Sequence, residues 1–302
     1  MNYNTNTNKF YAVICCIVKD EGYDLIHWVN YHFAIGFDKI YIFDNNSKIS
    51  IKTTLADYMR CGIIEVQDIT LNEFPQLSAY AAFLKKFGED ARWVAFIDAD
   101  EYINIKSKTD ISEFLEEYET YPAVGISWKV FGSNGNIKRP SLGPDKAYTT
   151  CLKEHSLIKS IIQPAMTEDV ISPHHFIYKN NTFCVNEHCI PIIGPRSYHT
   201  SEKIQINHYY YKSQQDFENK ISRGLATPMQ NKLCYKLEEF YEQSHKQGEL
   251  EKSIQRFSKK TDFYSKMGAK FISDEILDKI SVNVQELLKE IATNLIQKKN
   301  QK

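Results

Sequence analysis

Apolar residues in the first hundred positions occur in two patterns, as continuous short runs and as runs with helical spacing. The continuous runs are rich in β-branched and aromatic residues, as in strands that are buried on both faces of a parallel sheet. The runs with helical spacing lie between them. The pattern predicts strands over Phe10 to Val18, Lys39 to Phe43, Ile63 to Val66 and Trp93 to Ile97, and helices over Tyr23 to Ala34, Thr53 to Met59 and Gln76 to Phe87.

Charged and polar residues follow three of the predicted strands directly. They are Lys19–Glu21 after the first strand, Asp44–Ser47 after the second and Asp98–Glu101 after the fourth. Right-handed crossovers place the carboxyl ends of parallel strands at one edge of the sheet, and open α/β sheets bind their ligands beyond that edge. Because core packing does not require polar strand ends, the pattern predicts a shared ligand cleft.

The acid pair Asp98 and Asp100 flanks one small residue, Ala99. Two carboxylates at this spacing can hold a hard divalent cation, and Mg²⁺ or Mn²⁺ takes oxygen ligands while keeping positions open for phosphate oxygens. The alternative is an acidic turn that caps the next element, since so short a motif is common. Its place at the end of a buried strand favours a site for Mn²⁺ or Mg²⁺.

The second half of the chain predicts further strands over Val124 to Val130 and Ile204 to Ile206, and a helix over Gln214 to Arg223. From about residue 232 the pattern is helical. We therefore predict an α/β fold with a doubly wound, mostly parallel sheet, helices on both faces and a C-terminal helical extension. The predicted organisation is a flexible tail over residues 1–9, a main domain over 10–229 and the extension over 230–302.

Charge and hydropathy exclude several classes of protein. A net charge of -1 over 302 residues argues against nucleic acid as the main partner, because such proteins normally carry a basic excess. The polar first nine residues do not resemble a signal peptide, and no apolar run reaches the length of a membrane span. These features predict a cytoplasmic protein, with the inner face of the membrane as a further place of action.

Cysteines and histidines suggest a zinc site only weakly. The seven cysteines include no Cys-x-x-Cys pair, and the group Cys184, His188 and Cys189 fits no common zinc spacing. His174 and His175 lie upstream of this group. The chain also has no Gly-x-Gly-x-x-Gly sequence and no P-loop, so phosphates must be bound by metal and side chains instead of a glycine-rich cradle.

Seven blocks of sequence occur in a recognisable order between residues 11 and 224. They are Val18–Glu21, Trp28–His32, Gly36–Ser47, Phe96–Tyr102, Phe131–Gly135, His208–Ser213 and Lys220–Gly224. On these blocks the chain resembles bacterial glycosyltransferases of the GT-A fold, in the group related to families 2 and 92. The resemblance implies a GT-A domain whose donor half covers about residues 10–105 and whose acceptor half covers about 106–229. It does not extend beyond about residue 230.

The resemblance implies a nucleotide-sugar donor, with UDP as the expected nucleotide. Base and ribose would lie against the loops that follow the first two strands, and the diphosphate on a metal at Asp98 and Asp100. Lys220 and Arg223, three residues apart on one helix face, are expected to reach its oxygens; a solvated basic helix end is the alternative. The expected donor-binding residues are Val18, Lys19, Glu21, Asp44, Asn45, Asn46, Asp98, Ala99, Lys212, Lys220 and Arg223.

The order of the sequence blocks in the family also makes His208 the expected third metal ligand, and His174 or His175 is the alternative. An imidazole ligand suits Mn²⁺ better than Mg²⁺. At the helix position before Trp28, where relatives often carry an acid, this chain has His27, which is expected to face solvent.

The acceptor side is expected at Gly132, Ser133 and Asn134, although these residues would also suit a simple turn. The resemblance suggests inversion of the transferred sugar. An inverting enzyme needs a carboxylate base near the acceptor hydroxyl, and the candidates are Glu154, Glu168 and Asp169.

The sequence therefore predicts a metal-dependent glycosyltransferase that moves a sugar to a glycan or glycolipid acceptor in the synthesis of bacterial surface polysaccharide or lipopolysaccharide. A sugar nucleotidyltransferase is the first alternative, weakened because no glycine-rich basic loop follows the first strand. A non-catalytic nucleotide- or glycan-binding protein on the same fold is the second.

The extension from residue 230 is expected to be dispensable for chemistry. Its apolar face, which includes Ile276, Ile280 and Leu287, favours packing on the main domain or a homo-oligomer interface. Peripheral membrane contact stays open but usually needs a denser basic face.

Overall fold

The fold is that of a computed structural model, which describes residues 9–71, 73–223, 237–244, 246 and 248–300. The strands are β1 Phe10–Val18, β2 Lys39–Asn45, β3 Ile64–Ile69, β4 Ala91–Phe96, β5 Glu101–Ile105, β6 Ala123–Phe131, β7 Thr150–Ile162, β8 Thr167–Ser172, β9 His175–Tyr178, β10 Cys184–Val185, β11 Pro191–Ile192, β12 Ile204–His208 and β13 Glu249–Leu250. The helices are α1 Gly22–Ala34, α2 Ile51–Thr54, α3 Ala56–Arg60, α4 Pro75–Phe87, α5 Ile111–Leu115, α6 Pro144–Ala147, α7 Gln214–Arg223, α8 Leu237–Ser244, α9 Ser258–Met267 and α10 Ala269–Asn300.

Eleven strands form one sheet, and β8 pairs with β9 in a separate hairpin. Strands β3, β2, β1 and β4 are adjacent in that order and parallel. The sheet then becomes mixed, because β7 is antiparallel to both β4 and β6. Strand β12 lies between β5, to which it is antiparallel, and β6, to which it is parallel. This topology confirms the predicted α/β class.

Alternate side chains of β1 enter two separate apolar layers, which explains why its sequence is apolar throughout. Ile14 and Cys16 pack into the layer that contains Trp28 of α1. Val13 and Cys15 pack into the opposite layer, which contains Phe83 of α4. Helices therefore cover both faces of the parallel strands, as predicted for a doubly wound sheet.

The predicted elements are present, with three differences in detail. The helix predicted over Thr53 to Met59 is divided at Leu55 into α2 and α3. His208 is the last residue of β12 instead of following the strand. Strand β7 begins at Thr150, although its first half is too polar to show a strand pattern in the sequence.

Residues 249–280 pack closely on the main domain. Strand β13 pairs with β7, and Phe257, Tyr264 and Ile272 belong to the same apolar layer as Trp28. On α10, the Nζ of Lys279 donates to the carbonyl of Gly36 at 3.1 Å. A chain cut near residue 252 would lose part of this core. The packing agrees with one of the two alternatives predicted for the extension, and its dispensability for chemistry stays a prediction. Among the described residues, no helix has the length and apolar character needed to cross a membrane.

Candidate active site

A cavity of about 420 Å³ opens at the edge where the parallel strands end. One wall comes from the loops after β1 and β2, and the other comes from α7 and the segment before it. Asp100 lies between these walls. Half of the lining residues are charged, and they are Asp20, Glu21, Asp24, Lys48, Asp100, Arg139, Lys212, Asp216 and Lys220.

Hydrogen bonds tie the first two strand-end loops together. The Asp20 amide donates to Ser47 Oγ at 2.9 Å, and the Lys48 amide donates to Asp20 Oδ1 at 2.7 Å. Buried Asp44 accepts a hydrogen bond from the Ser47 amide at 3.0 Å. The polar residues after β1 and β2 therefore shape one shared wall of the cavity.

Among the predicted donor-binding residues of this wall, only some reach the cavity. Glu21 lines it. Val18, Asp44 and Asn45 are buried, and the Asn45 side chain is bonded to the backbone of Leu71. Lys19 is partly exposed, and Asn46 is exposed with a left-handed φ of 62°.

Asp98 points toward a buried lysine on β7. Its Oδ2 accepts a hydrogen bond from Lys159 Nζ at 2.9 Å, and its Oδ1 accepts one from Gln76 at 2.5 Å. Glu101 Oε2, in turn, lies 3.6 Å from Lys159 Nζ and accepts from the Asp98 amide at 2.9 Å. Neighbouring Ala99 is buried.

Lys159 thus contacts two acids at once, and the pKa values of Lys159 and Glu101 are both shifted. Burial raises the pKa of Glu101 well above its usual range, although the charge of Lys159 opposes this shift. Burial alone would lower the pKa of Lys159, but the charges of Asp98 and Glu101 outweigh it and the pKa rises. Lys159 therefore stays charged.

Asp100 points the other way, toward α7 and β12. Its Oδ2 accepts from Lys220 Nζ at 3.2 Å, and its Oδ1 lies 3.5 Å from His208 Nε2. Burial alone would raise the pKa of this carboxyl, but the charges of Lys220 and His208 hold it well below its usual range. Asp100 is therefore ionised at neutral pH.

A second ion-pair group joins α1 to the segment before α7. Lys212, in the left-handed region at φ 50°, places Nζ 2.6 Å from Asp24 Oδ2. Arg139 Nη1 lies 3.9 Å from Asp24 Oδ1, and its other terminal nitrogen donates to Asp216. Burial opposes the charges of Lys212 and Arg139, which nevertheless lower the pKa of Asp24.

The N-terminus of α7 is held by reciprocal hydrogen bonds. Ser213 Oγ donates to Asp216 Oδ2 at 2.6 Å and accepts from the Asp216 amide at 3.1 Å. This capping box confirms Ser213 as the N-cap. It fixes the helix that carries Lys220 to the cavity. The side chain of Arg223, predicted to act with Lys220, lies outside the described residues.

Whether the site can hold a divalent cation depends on which of the predicted ligand atoms lie close to one another. Asp100 and His208 lie close enough to share one ion, and His208 Nδ1 has no partner within the described chain. Asp98 instead forms an ion pair with Lys159, and it does not form a three-ligand group with Asp100 and His208. One carboxylate with an imidazole, completed by substrate phosphates, suits Mn²⁺ better than Mg²⁺.

The reserve histidines occupy different positions. His174 contacts the Trp128 ring at 5.1 Å between centroids, and its Nδ1 lies 2.8 Å from the Ile158 carbonyl. Burial, together with the charge of Lys159, lowers its pKa to about 4. His175 begins β9 in the separate hairpin.

The loop expected to contact the acceptor is hydrogen-bonded to two other segments, the end of α8 and the residue before β7. Gly132 leaves no room for a side chain, since an added Cβ would lie 2.7 Å from the Ser244 carbonyl. Ser133 is buried and bonded to the same carbonyl at 3.3 Å. Asn134 donates to Thr149 Oγ1 at 2.9 Å. These contacts favour the simple-turn interpretation that the sequence left open.

The three candidate bases lie away from the donor cavity lining. Glu168 and Asp169 line a second cavity, of about 750 Å³, beside α4. Glu154 has a side chain that is 61% exposed and lies 3.4 Å from His199. None of the three borders Asp100.

Two other sequence expectations are corrected or weakened. His27 does not face solvent: its Nδ1 lies 3.2 Å from Tyr102 Oη and its Nε2 lies 3.0 Å from Asp145, because α6 packs beside α1. Among the described residues, Cys184 and Cys189 belong to no metal-ligand cluster, and His188 instead groups with Glu187 and Glu202.

Sequence reasoning missed Asp24 and Arg139. An acid in the first turn of a helix is ordinary, and a loop arginine carries no motif. Only the fold brings the two together across more than a hundred residues.

The proteins that resemble this chain in sequence include members of one glycosyltransferase family. A rice (Oryza sativa subsp. japonica) glycosyltransferase family 92 protein is 28% identical over 221 residues, which cover 71% of this chain and 35% of that protein. A family 92 protein of Ricinus communis is 26% identical, over 71% of this chain and 38% of its own length. The chain therefore spans little more than a third of these relatives.

Solved structures are less similar to this chain than the plant proteins are. S. aureus TarS 1–349 in complex with UDP-GlcNAc is 17% identical, with a TM-score of 0.37, over 52% of this chain and 46% of that one. A putative glucose-1-phosphate thymidylyltransferase from Bacillus anthracis is 12% identical with a TM-score of 0.33, over 52% of this chain and 72% of that one. Scores this low carry no argument about function. The family model for glycosyltransferase family 92 matches residues 12–261, and on that match the chain belongs to this family.

Proposed function

We propose that this chain transfers a sugar from a nucleoside-diphosphate donor, with UDP as the nucleotide, to a glycan or glycolipid acceptor. The observation that supports this most is the convergence of Arg139, Lys212 and Lys220 on the cavity that Asp100 lines. The lining also contains Lys48 and five carboxylates, so these three cations are paired with acids within the cavity. A diphosphate would take them over through charge-assisted contacts, which are among the strongest polar interactions. Family membership supports sugar transfer as the reaction.

Each charged group has a proposed role. Lys220 leaves Asp100 for the diphosphate and stabilises the charge that develops on the leaving nucleotide. Lys212 and Arg139, both anchored on Asp24, orient the diphosphate from the wall opposite the β1 loop. A Mn²⁺ ion held by Asp100 and His208 would supply further neutralisation of the leaving group.

Finer points stay predictions. These are inversion of the transferred sugar, action in the cytoplasm at the inner face of the membrane, homo-oligomer contact and the identity of the base. A role in bacterial surface polysaccharide or lipopolysaccharide synthesis is also a prediction, because the relatives named above are plant proteins.

A screen of donor hydrolysis tests the proposal. The purified chain is incubated with UDP-glucose, UDP-galactose, UDP-N-acetylglucosamine or GDP-mannose, with Mn²⁺, Mg²⁺ or a chelator. We expect one UDP-sugar to release UDP with Mn²⁺ and to be stable with the chelator. Release of pyrophosphate from a nucleoside triphosphate and a sugar 1-phosphate would instead support the nucleotidyltransferase. Binding without any turnover would support the non-catalytic alternative.

A further inference from the structure

Trp128 on β6 is the centre of a cluster of rings beside Asp100. Its ring centroid lies 4.6 Å from that of His208, 5.1 Å from His174 and 5.5 Å from His155. His208 also approaches Asp100. None of the four rings lines the cavity proposed for the donor. We call these four residues the Trp128 cluster; it adjoins the donor cavity without being part of it.

Two polar atoms of the Trp128 cluster lack a hydrogen-bond partner within the described part of the chain. They are Nε1 of Trp128 and Nδ1 of His208. Trp128 is 9% exposed and His208 is 7% exposed, so water does not readily satisfy either atom. Unpaired polar groups are rare in native interiors, and a ligand is one of the explanations for them.

The two outer rings of the cluster are the ones that solvent reaches. His155 and His174 are partly exposed and contact the same indole, whose nitrogen has almost no exposed surface. Because this nitrogen is buried, a ligand reaches it only if neighbouring side chains move, and movement of His174 would break the contact of its Nδ1 with the Ile158 carbonyl. Sugars present apolar C–H faces together with hydroxyl oxygens, and an indole offers a matching surface and donor.

We propose that the Trp128 cluster is the acceptor subsite and binds one sugar ring of the glycan, with Trp128 Nε1 donating to a hydroxyl oxygen. This inference rests on the proposed function. It gives the acceptor a place next to Asp100. His208 joins the two subsites, because its ring contacts both Asp100 and Trp128.

Indole N–H signals in an ¹⁵N-labelled protein test the binding directly. The chain has three tryptophans, and a Trp128→Phe variant assigns the signal of interest. Methyl β-galactoside, methyl β-glucoside and methyl α-mannoside are added to protein saturated with UDP and Mn²⁺. We expect at least one glycoside to shift the Trp128 signal and leave that of Trp93 in place. If UDP binds but no glycoside shifts the Trp128 signal, the subsite is refuted.

Transfer kinetics provide the second measurement. Trp128→Phe keeps one aromatic ring but removes the N–H together with the five-membered ring that carries it, so kcat/KM for transfer to the responding glycoside should fall about tenfold or more. Donor hydrolysis in water and UDP affinity are measured in parallel, and both should fall less than transfer does. Trp93→Phe is the matched control: Trp93 Nε1 is also buried and without a partner within the described residues, and both tryptophans belong to one apolar layer, but Trp93 is not one of the four rings of the Trp128 cluster. Wild-type transfer by Trp128→Phe would refute the subsite alone, whereas failure of UDP to bind would refute the proposed function.

Discussion

Replacing Asp100 by asparagine should lower donor turnover by about 100-fold or more while the protein stays folded. The change keeps the size of the side chain but removes the charge that faces Lys220 and His208. Ground-state packing changes little, whereas the site loses the carboxylate expected to hold a cation beside the leaving group. The measurement is steady-state release of UDP from the responding donor in Mn²⁺.

Glu168→Gln is the matched control for Asp100→Asn. It also removes one carboxylate charge, but Glu168 lines the second cavity and should leave turnover unchanged. Wild-type turnover by Asp100→Asn would contradict the assignment of this carboxylate. Loss of turnover in Glu168→Gln would return that residue to the position of catalytic base.

Replacing Lys159 by methionine should reduce the free energy of unfolding by about 3–5 kcal/mol at pH 7.5, because it leaves buried acids without their shared partner. Glu101 is fully buried and Asp98 is one-third exposed, so Glu101 is the group most affected. Urea denaturation followed by circular dichroism measures the loss. Lys85→Met removes an exposed lysine and should change stability by less than about 0.5 kcal/mol.

The loss in the free energy of unfolding caused by Lys159→Met should become smaller as the pH falls. Burial already raises the pKa of Glu101 well above its usual range, and removal of the lysine raises it further. The folded variant then binds a proton that the unfolded chain does not, so its stability increases below that raised pKa. Adding Glu101→Gln should recover part of the loss at pH 7.5. Equal stability of Lys159→Met and wild type at pH 7.5 would contradict the pairing.

The parallel half of the fold could be predicted because its strands obey local rules. β1 and β4 are apolar on both faces, and a sheet covered by helices requires this pattern. The polar ends of β1 and β2 then predicted a cleft, and Asp20 and Ser47 are indeed in contact. The polar first half of β7 could not be predicted, since its side chains follow no simple alternation.

The candidate site was harder to predict because its contacts are distant in sequence. Asp100 and Lys220 were named from motifs, but the sequence did not show that Asp98 is bonded to Lys159 instead. A Gly-Ser-Asn turn has the same composition whether it binds a ligand or, as here, forms hydrogen bonds with other segments of the chain. The sequence could not show where β7 and β8 place the candidate bases Glu154, Glu168 and Asp169.

Calorimetric titration of UDP in the presence of Mn²⁺ tests the central claim, that the cavity between the β1 loop and α7 binds the donor's nucleoside diphosphate. The wild type should bind one UDP. Lys220→Met, which removes a cation from the cavity, should weaken binding about tenfold or more. Lys85→Met, beside the second cavity, should bind as the wild type does. No binding by the wild type, or equal affinity in Lys220→Met, would contradict the account.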